Sequence, residues 1–379
     1  MNLLKQKDKQ KNEDKIKGEK LFVASQWQLI RWKFFRHRLA MGALAVLIVL
    51  YFFAIFAEFT SPYDPHGHDI RYMYCPPMRI RFFDETGAFH LRPFVYKVKA
   101  ELDMITLRKT YTEDKGEKYP LYFFVRGDPY KLWGLFESNI HLFGTKEGRA
   151  FLFGTDKMGR DMLSRIFYGG RLSLSVGLLG IAISFIFGIT IGGISGYYGG
   201  KADVIIQRVI EFIRSIPTLP LWMGLSAALP PYWSIVKVYF GIVIILSLVG
   251  WTGLARVVRG KFMSVREEDF VMAARLHGAS ESRIIFKHLL PSFYSYIIAS
   301  LTLSIPGMIL GETALSFIGL GLQPPAISWG VLLKESQAIR VLANSPWLLV
   351  PGIFVIITIL AFNFVGDGLR DAADPYTTI

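Results

Sequence analysis

A single cysteine, Cys75, stands in a chain of 379 residues. One thiol excludes an intrachain disulfide and any metal site built from several cysteines. Charge is scarce as well: Asp, Glu, Lys and Arg make up 19% of the chain against 52% hydrophobic residues. No Gly-x-x-x-x-Gly-Lys-Ser/Thr segment occurs, so the chain carries no phosphate loop with which to bind ATP itself. His277 and His288 share one polar stretch, but no third ligand and no His-Glu-x-x-His pattern accompanies them, so no metal site is expected. The serines inside apolar runs (Ser173, Ser175, Ser184, Ser304) have no histidine in another run to serve as a base, and no catalytic residue is expected. A cleavable leader is not evident either, because the charged stretch before the first apolar run is longer than a leader's basic region.

What the chain does have is a succession of apolar runs of about 20 residues, the length that crosses a bilayer. They fall at 39–59, 172–195, 203–229, 235–255, 292–317 and 347–366, which predicts an all-α polytopic membrane protein with six spans. The net charge of +13 does not imply nucleic acid, since many basic residues flank these runs. Arg31, Lys33, Arg36 and Arg38 precede the first run, and Arg256, Arg259, Lys261 and Arg266 follow the fourth. The positive-inside rule then places the N-terminus and the loop after the fourth span in the cytoplasm. Residues 26–38 fit a basic amphipathic helix on the membrane surface, or a set of interfacial charges that give the same orientation. Residues 1–18, rich in Lys, Asp, Glu and Gln, read as a disordered tail.

Between the first and second runs lies a long polar segment on the outer side. Alternation at 79–83, a turn at 85–87, alternation at 94–98 and again at 118–126, ended by Gly127-Asp128-Pro129, predict a small β-rich unit. At 154–171 a helix capped by Thr155 or Asp156 is expected on the outer interface, with Met162, Ile166 and Phe167 toward lipid or protein and Arg160, Arg165 and Arg171 toward water. Repeated glycines in 177–196 permit close helix contacts. Pro217 and Pro220 predict a kink in the third span, open to simple packing or, in a transporter, to bounding the pathway. Pro306 and Gly307 predict a break in the fifth. Glu312 is an ionisable group within that span, open to a pathway or gating role or to a hydrogen bond that fixes the following bend.

The most informative stretch is 264–291, SVREEDFVMAARLHGASESRIIFKHLLP. Ser264 and Glu267 have the spacing of a capping box. Phe270, Ala273, Ala274 and His277 share one helical face. Gly278 suits a left-handed helix end, Ser280 suits the cap of a second helix, and Pro291 the start of the next segment.

This stretch resembles the EAA loop of ABC importer permeases, with Ala273, Ala274, Gly278, Leu290 and Pro291 fitting and Met272 standing where the glutamate usually lies. The form of 278–291 is closest to the dipeptide/oligopeptide/nickel branch. Two further strings, 154–177 (GTDKMGRDMLSRIFYGGRLSLSVG) and 311–330 (GETALSFIGLGLQPPAISWG), resemble signatures of the same branch. The resemblance covers residues 154–375 and implies a type I permease of an ATP-driven importer, most often of peptides, with nickel or oligosaccharides as alternatives. A stand-alone membrane channel is the rival of another class. The implied partners are a second homologous permease, two cytoplasmic ATP-binding subunits that hold ATP and magnesium, an external substrate-binding protein and the lipid bilayer. The chain itself would be neither an enzyme nor a cofactor carrier. The implied ATPase-coupling residues are Phe270, Ala273, Ala274, His277, Gly278, Ala279, Ser280, His288 and Pro291.

The resulting organisation is a cytoplasmic basic tail (1–38), a first span (39–59), a β-rich external insertion (60–153) and an outer interfacial helix (154–171). A five-helix core (172–367) with its coupling loop (256–291) and a cytoplasmic tail (368–379) follow. The insertion is longer than is usual for the branch.

Overall fold

The structure, a computed structural model, describes residues 26–104 and 108–374. The tail expected over 1–18 and the end of the C-terminal tail lie outside the described residues.

Helix α1 (Gln26–Arg36) stops at His37, whose ring accepts a hydrogen bond from the Ala40 amide and caps α2 (Arg38–Ile55). A short helical turn, Ala57–Thr60, follows α2. The remaining helices of eight residues or more are α3 (Met162–Tyr198), α4 (Gly200–Ser215), α5 (Thr218–Ala227), α6 (Ile235–Val265), α7 (Asp269–Leu276), α8 (Tyr294–Ile318) and α9 (Val350–Ala373). Among the described residues, five helical segments are long and apolar enough to cross a membrane: Arg38–Ile55, Met162–Tyr198, Ile235–Val265, Glu281–Ile318 and Pro346–Ala373. The third expected span, 203–229, is divided between α4 and α5. Pro217 lacks an N–H and forces Ile216 into extended backbone (ψ 129°), so the helix breaks outright rather than kinking. Pro306 does the opposite of what was expected: α8 runs through it unbroken. Prolines are tolerated in such helices where packed neighbours and small backbone adjustments satisfy the freed carbonyl.

The insertion is a four-stranded antiparallel sheet in the order β1 (Arg81–Phe83), β2 (Phe89–Asp103), β3 (Arg108–Leu132), β4 (Phe136–Thr145). Tyr96 pairs with Lys118 and Phe123 with Phe143. Gly127-Asp128-Pro129 does not end β3. The register slips between Arg126 and Tyr130, so these residues form a bulge, which absorbs a proline that the ladder could not otherwise pair.

The expected interfacial helix at 154–171 is not a separate element. Residues 154–161 form a tight loop, and α3 starts at Met162 and continues for 37 residues. Its cap is Asp161, which accepts from the amide and hydroxyl of Ser164 (2.8 and 2.7 Å), not Thr155 or Asp156. Those two residues fasten the loop to the segment that leads into the sheet. The Cys75 amide donates to the Thr155 hydroxyl (2.8 Å), which in turn donates to the Tyr72 carbonyl. Arg165, expected in water, is buried and pairs with Asp156, as does Arg160 (2.6 Å). Gly159 takes φ +73°, and a Cβ there would lie 1.9 Å from the Asp69 carbonyl oxygen.

Helices α3 and α6 pack closely along one seam. Gly188, Gly192 and Gly196, spaced by four, face Leu254, the Ala255 backbone and the Arg259 backbone; added Cβ atoms would meet them at 2.7, 2.5 and 2.6 Å. Small residues at that spacing let two backbones approach without a hydrophobic drive from water.

Candidate docking elbow

The end of the molecule opposite the sheet is built on α6. This helix outlasts its apolar run by ten residues because Val258 and Phe262 continue to bury against α3 and the segment leading into α8. The expected capping box therefore fails: Ser264 lies inside the last turn of α6, and Glu268 occupies the N-cap of α7 without a side-chain cap bond.

Helix α7 spans Asp269–Leu276 and ends in a Schellman motif. Gly278, at φ +73°, donates to the Arg275 carbonyl (2.9 Å), and Ala279 donates to the Ala274 carbonyl (3.0 Å). The chain turns there and enters the helical run Glu281–Ile318. Ser280 sits at its N-cap with extended backbone (ψ 154°) but makes no side-chain cap bond. Pro291 starts no new segment; it lies in the first turn of Leu290–Phe293, which continues into α8.

One face of α7 belongs to the protein's own core. Val271 is fully buried, and Ala274 and Ala279 pack beside it on a cluster with Leu254, Phe262, Ile284, Leu289 and Ile297. The other face is open: Phe270, Ala273 and His277 are exposed, together with Met272 and Leu276, the last 87% exposed. The four residues expected on one face thus separate. Ala274, three positions from Val271, turns inward, while Ala273 turns out. His288 is half-buried in the segment Ile284–Leu289 and lies away from the open face.

Residues the sequence did not single out hold the elbow in place. The Arg266 guanidinium donates to the carbonyls of Gly196 and Tyr197 at the end of α3 (3.3 and 3.2 Å). Arg275 lies over the Tyr197 ring at 5.6 Å, and the Tyr198 hydroxyl donates to Glu281 (2.8 Å). Asp203 on α4 pairs with Arg259 on α6 (2.5 and 2.6 Å), and the Ser195 hydroxyl also donates to it. The partners of Tyr197 and Tyr198 lie 69 and 83 positions away and cannot be read from spacing. A cavity of about 840 Å³ opens beside the elbow between Lys261, Ser292, Tyr296, Asp367 and Arg370.

The two proposed pathway residues lie elsewhere. Glu312 is fully buried in α8 and accepts from Ser173 of α3 (3.1 Å) and Ser316 (2.8 Å). Ser173 also accepts from the Trp329 amide (3.1 Å), so the carboxylate ties α8, α3 and the turn at 328–329 together. Pro217 is exposed at the break between α4 and α5.

A bundle of long apolar helices with a short, outward-facing helix at one end defines a multi-pass membrane protein. The chain belongs to the family of binding-protein-dependent transport system inner membrane components, which matches residues 188–378. The N-terminal TM domain of oligopeptide transport permease C matches residues 25–77. The dipeptide transport system permease protein DppC of Bacillus subtilis is 40% identical over 224 residues, 59% of this chain and 68% of that protein. The oligopeptide transport system permease protein OppC of Haemophilus influenzae is 44% identical over 232 residues, 61% of this chain and 72% of that protein. A solved chain of the MetNI methionine ABC transporter covers 56% of this chain and 97% of its own length at 18% identity, with a TM-score of 0.46.

Proposed function

We propose that this chain is a permease subunit of an ATP-driven peptide importer. Two ATP-binding subunits holding ATP and magnesium dock on the elbow in the cytoplasm. A second homologous permease completes the pathway, and an external binding protein delivers the substrate. The peptide assignment follows the relatives, which are dipeptide and oligopeptide permeases. The basic flanks support an orientation with both ends and the elbow in the cytoplasm of a prokaryotic cell. The exposed stripe Ile205, Val209 and Phe212 on α4, at i, i+4 and i+7, is the face offered to the second permease.

The observation that carries this reading is the elbow itself. Helix α7 exposes Phe270, Ala273 and Leu276 while its other face is fixed to α3, α6 and α8 through Val271 and Ala274. A helix held on one side and open on the other transmits displacement instead of absorbing it. Closure of the ATPases on ATP would swing the bundle between outward and inward access. The Glu312 carboxylate serves in this scheme as an internal clamp, not as a pathway group.

The test compares wild type with an Ala273→Glu, Leu276→Glu variant for ATPase subunits that co-purify in mild detergent. Ala274 is left intact because charging it would disrupt the permease's own core. Loss of the ATPases, with the permease still folded, is the expected result. Equal recovery of ATPases with both proteins would show that docking does not use this face.

A further inference from the structure

We propose that the tip of the β3–β4 hairpin is a lipid-interface anchor that seats the sheet on the outer surface of the bilayer beside α2. The hairpin descends along the first span. His141 on β4 contacts the Ser61 carbonyl through its ring Nδ1 (2.5 Å), and the ring of Phe124 on β3 lies 6.3 Å from that of Phe59. At the tip, the Trp133 indole N–H donates to the carbonyl of Ile55, the last residue of α2 (2.8 Å). From Ser61 back to Ile55 is about 9 Å along a helix axis, directed toward the membrane.

The 18 residues of α2 span about 27 Å, close to the thickness of a hydrocarbon core, so Ile55 marks the membrane boundary. Polar groups gather at the same level: Arg171 binds the carbonyls of Ala54 and Ile55 and pairs with Glu58 (2.6 Å). An aromatic ladder runs across the boundary without interruption, from Phe52 to Phe56 (5.2 Å) and from Phe56 to Trp133 (5.4 Å). Phe52 and Ile55 belong to the exposed apolar surface of α2, so the tip is continuous with the face that meets lipid.

The tip is apolar and uncovered. Trp133 is 48% exposed, Leu135 74% and Phe136 63%. Lys131 and Glu137 pair across its base (2.9 Å), so net charge does not recruit it and a zwitterionic surface suffices. The turn itself puts the aromatic there at a conformational cost. Trp133 and Gly134 take φ +52° and +75°, the two left-handed central positions of a type I′ turn. Asn or Gly fits the first of these without strain, and a bulky indole does not. Trp at a membrane boundary gains from placing its ring in the apolar layer and its N–H at a polar partner, which is the geometry seen.

The experiment uses the full-length chain in phosphatidylcholine vesicles, with a spin label at Leu135→Cys and, separately, at Leu91→Cys on β2, which is 89% exposed. Cys75 is buried, and wild type serves as the labelling blank. The expected result is a label at 135 that collides more often with oxygen than with a water-soluble nickel chelate, and the reverse at 91. If position 135 is as open to the chelate as position 91, the tip lies in water and the proposal is overturned. If position 135 is shielded from both reagents, protein covers it and the proposal is likewise overturned. Phe136→Cys takes the place of Leu135→Cys should that variant fail to fold.

Discussion

Gly278 shows how far single residues could be read. Its left-handed conformation was legible because only glycine ends a helix in that way at no steric cost. A Cβ added at Gly278 would meet nothing within 4 Å, so a substitution there is penalised by backbone conformation alone. Gly278→Val is therefore expected to cost about 1–3 kcal/mol locally, loosening the turn without disturbing the core, and Gly278→Asn is expected to be much milder. In a reconstituted importer the valine variant should keep ATP hydrolysis while losing transport, and the asparagine variant should retain both. Unchanged transport in the valine variant would show that the turn does not set the angle of the elbow. Ala274 and Glu312 were less legible. Helical spacing groups Ala273 with Ala274, but only the burial of Val271 reveals that the helix is rotated to turn Ala274 inward. The hydroxyls that occupy Glu312 come partly from Ser173, 139 positions away, beyond the reach of any local pattern.

Among the elements, the long apolar helices and the sheet were legible from hydropathy and alternation, and their ends were not. Helix α6 continues past its apolar run because tertiary contacts on its last three turns outweigh the charges there. Helix α3 begins earlier than its apolar run because Asp161 caps it inside a buried loop, an arrangement that needs the partners of the loop to be known. The glycine seam between α3 and α6 was foreseen in kind, though not its partner. It yields a sharp expectation. Gly192→Leu should prevent these helices from closing, since even a Cβ would stand 2.5 Å from the Ala255 carbonyl oxygen, which is backbone and cannot rotate away. Gly193→Ala, one position on, meets only the tip of the Phe262 ring at 3.6 Å and should be tolerated. Size-exclusion profiles in detergent would separate the two: aggregate or loss of yield for the first, a wild-type peak for the second.

At the scale of the whole molecule, a sheet and a membrane bundle share one chain, and the sheet carries a titrating group of its own. In the β1–β2 turn, hydrogen bonds from His90, then Lys118 and Thr86, hold the Asp84 carboxyl far below the ordinary carboxylate range. Its folded pKa is thus below the unfolded value of about 3.9. The stabilisation is complete above that value and is lost as pH falls below about 4 toward the folded pKa. Asp84→Asn should therefore lower the melting temperature of the sheet at pH 7, and the gap to wild type should begin to narrow only below about pH 4, as pH falls toward the folded pKa. A gap that stays constant across this range would mean that ionisation of Asp84 contributes nothing. The fold class was legible as a whole because spans are dictated by the bilayer. The fastening of loop 154–161 was not, since it depends on partners at Tyr72 and Cys75 some 80 positions away.

Helix α3 reaches without a break from the loop that fastens the sheet to the Tyr197 and Tyr198 contacts at the elbow, a rod about 55 Å long. Thermodynamic linkage makes such a shaft work in both directions. Any factor by which an elbow partner favours one position of the bundle is returned, in equal measure, to whatever binds at the far end in that position. The affinity of an external ligand would then report on nucleotide occupancy across the membrane, and a tight external ligand would alter nucleotide affinity without touching the nucleotide site.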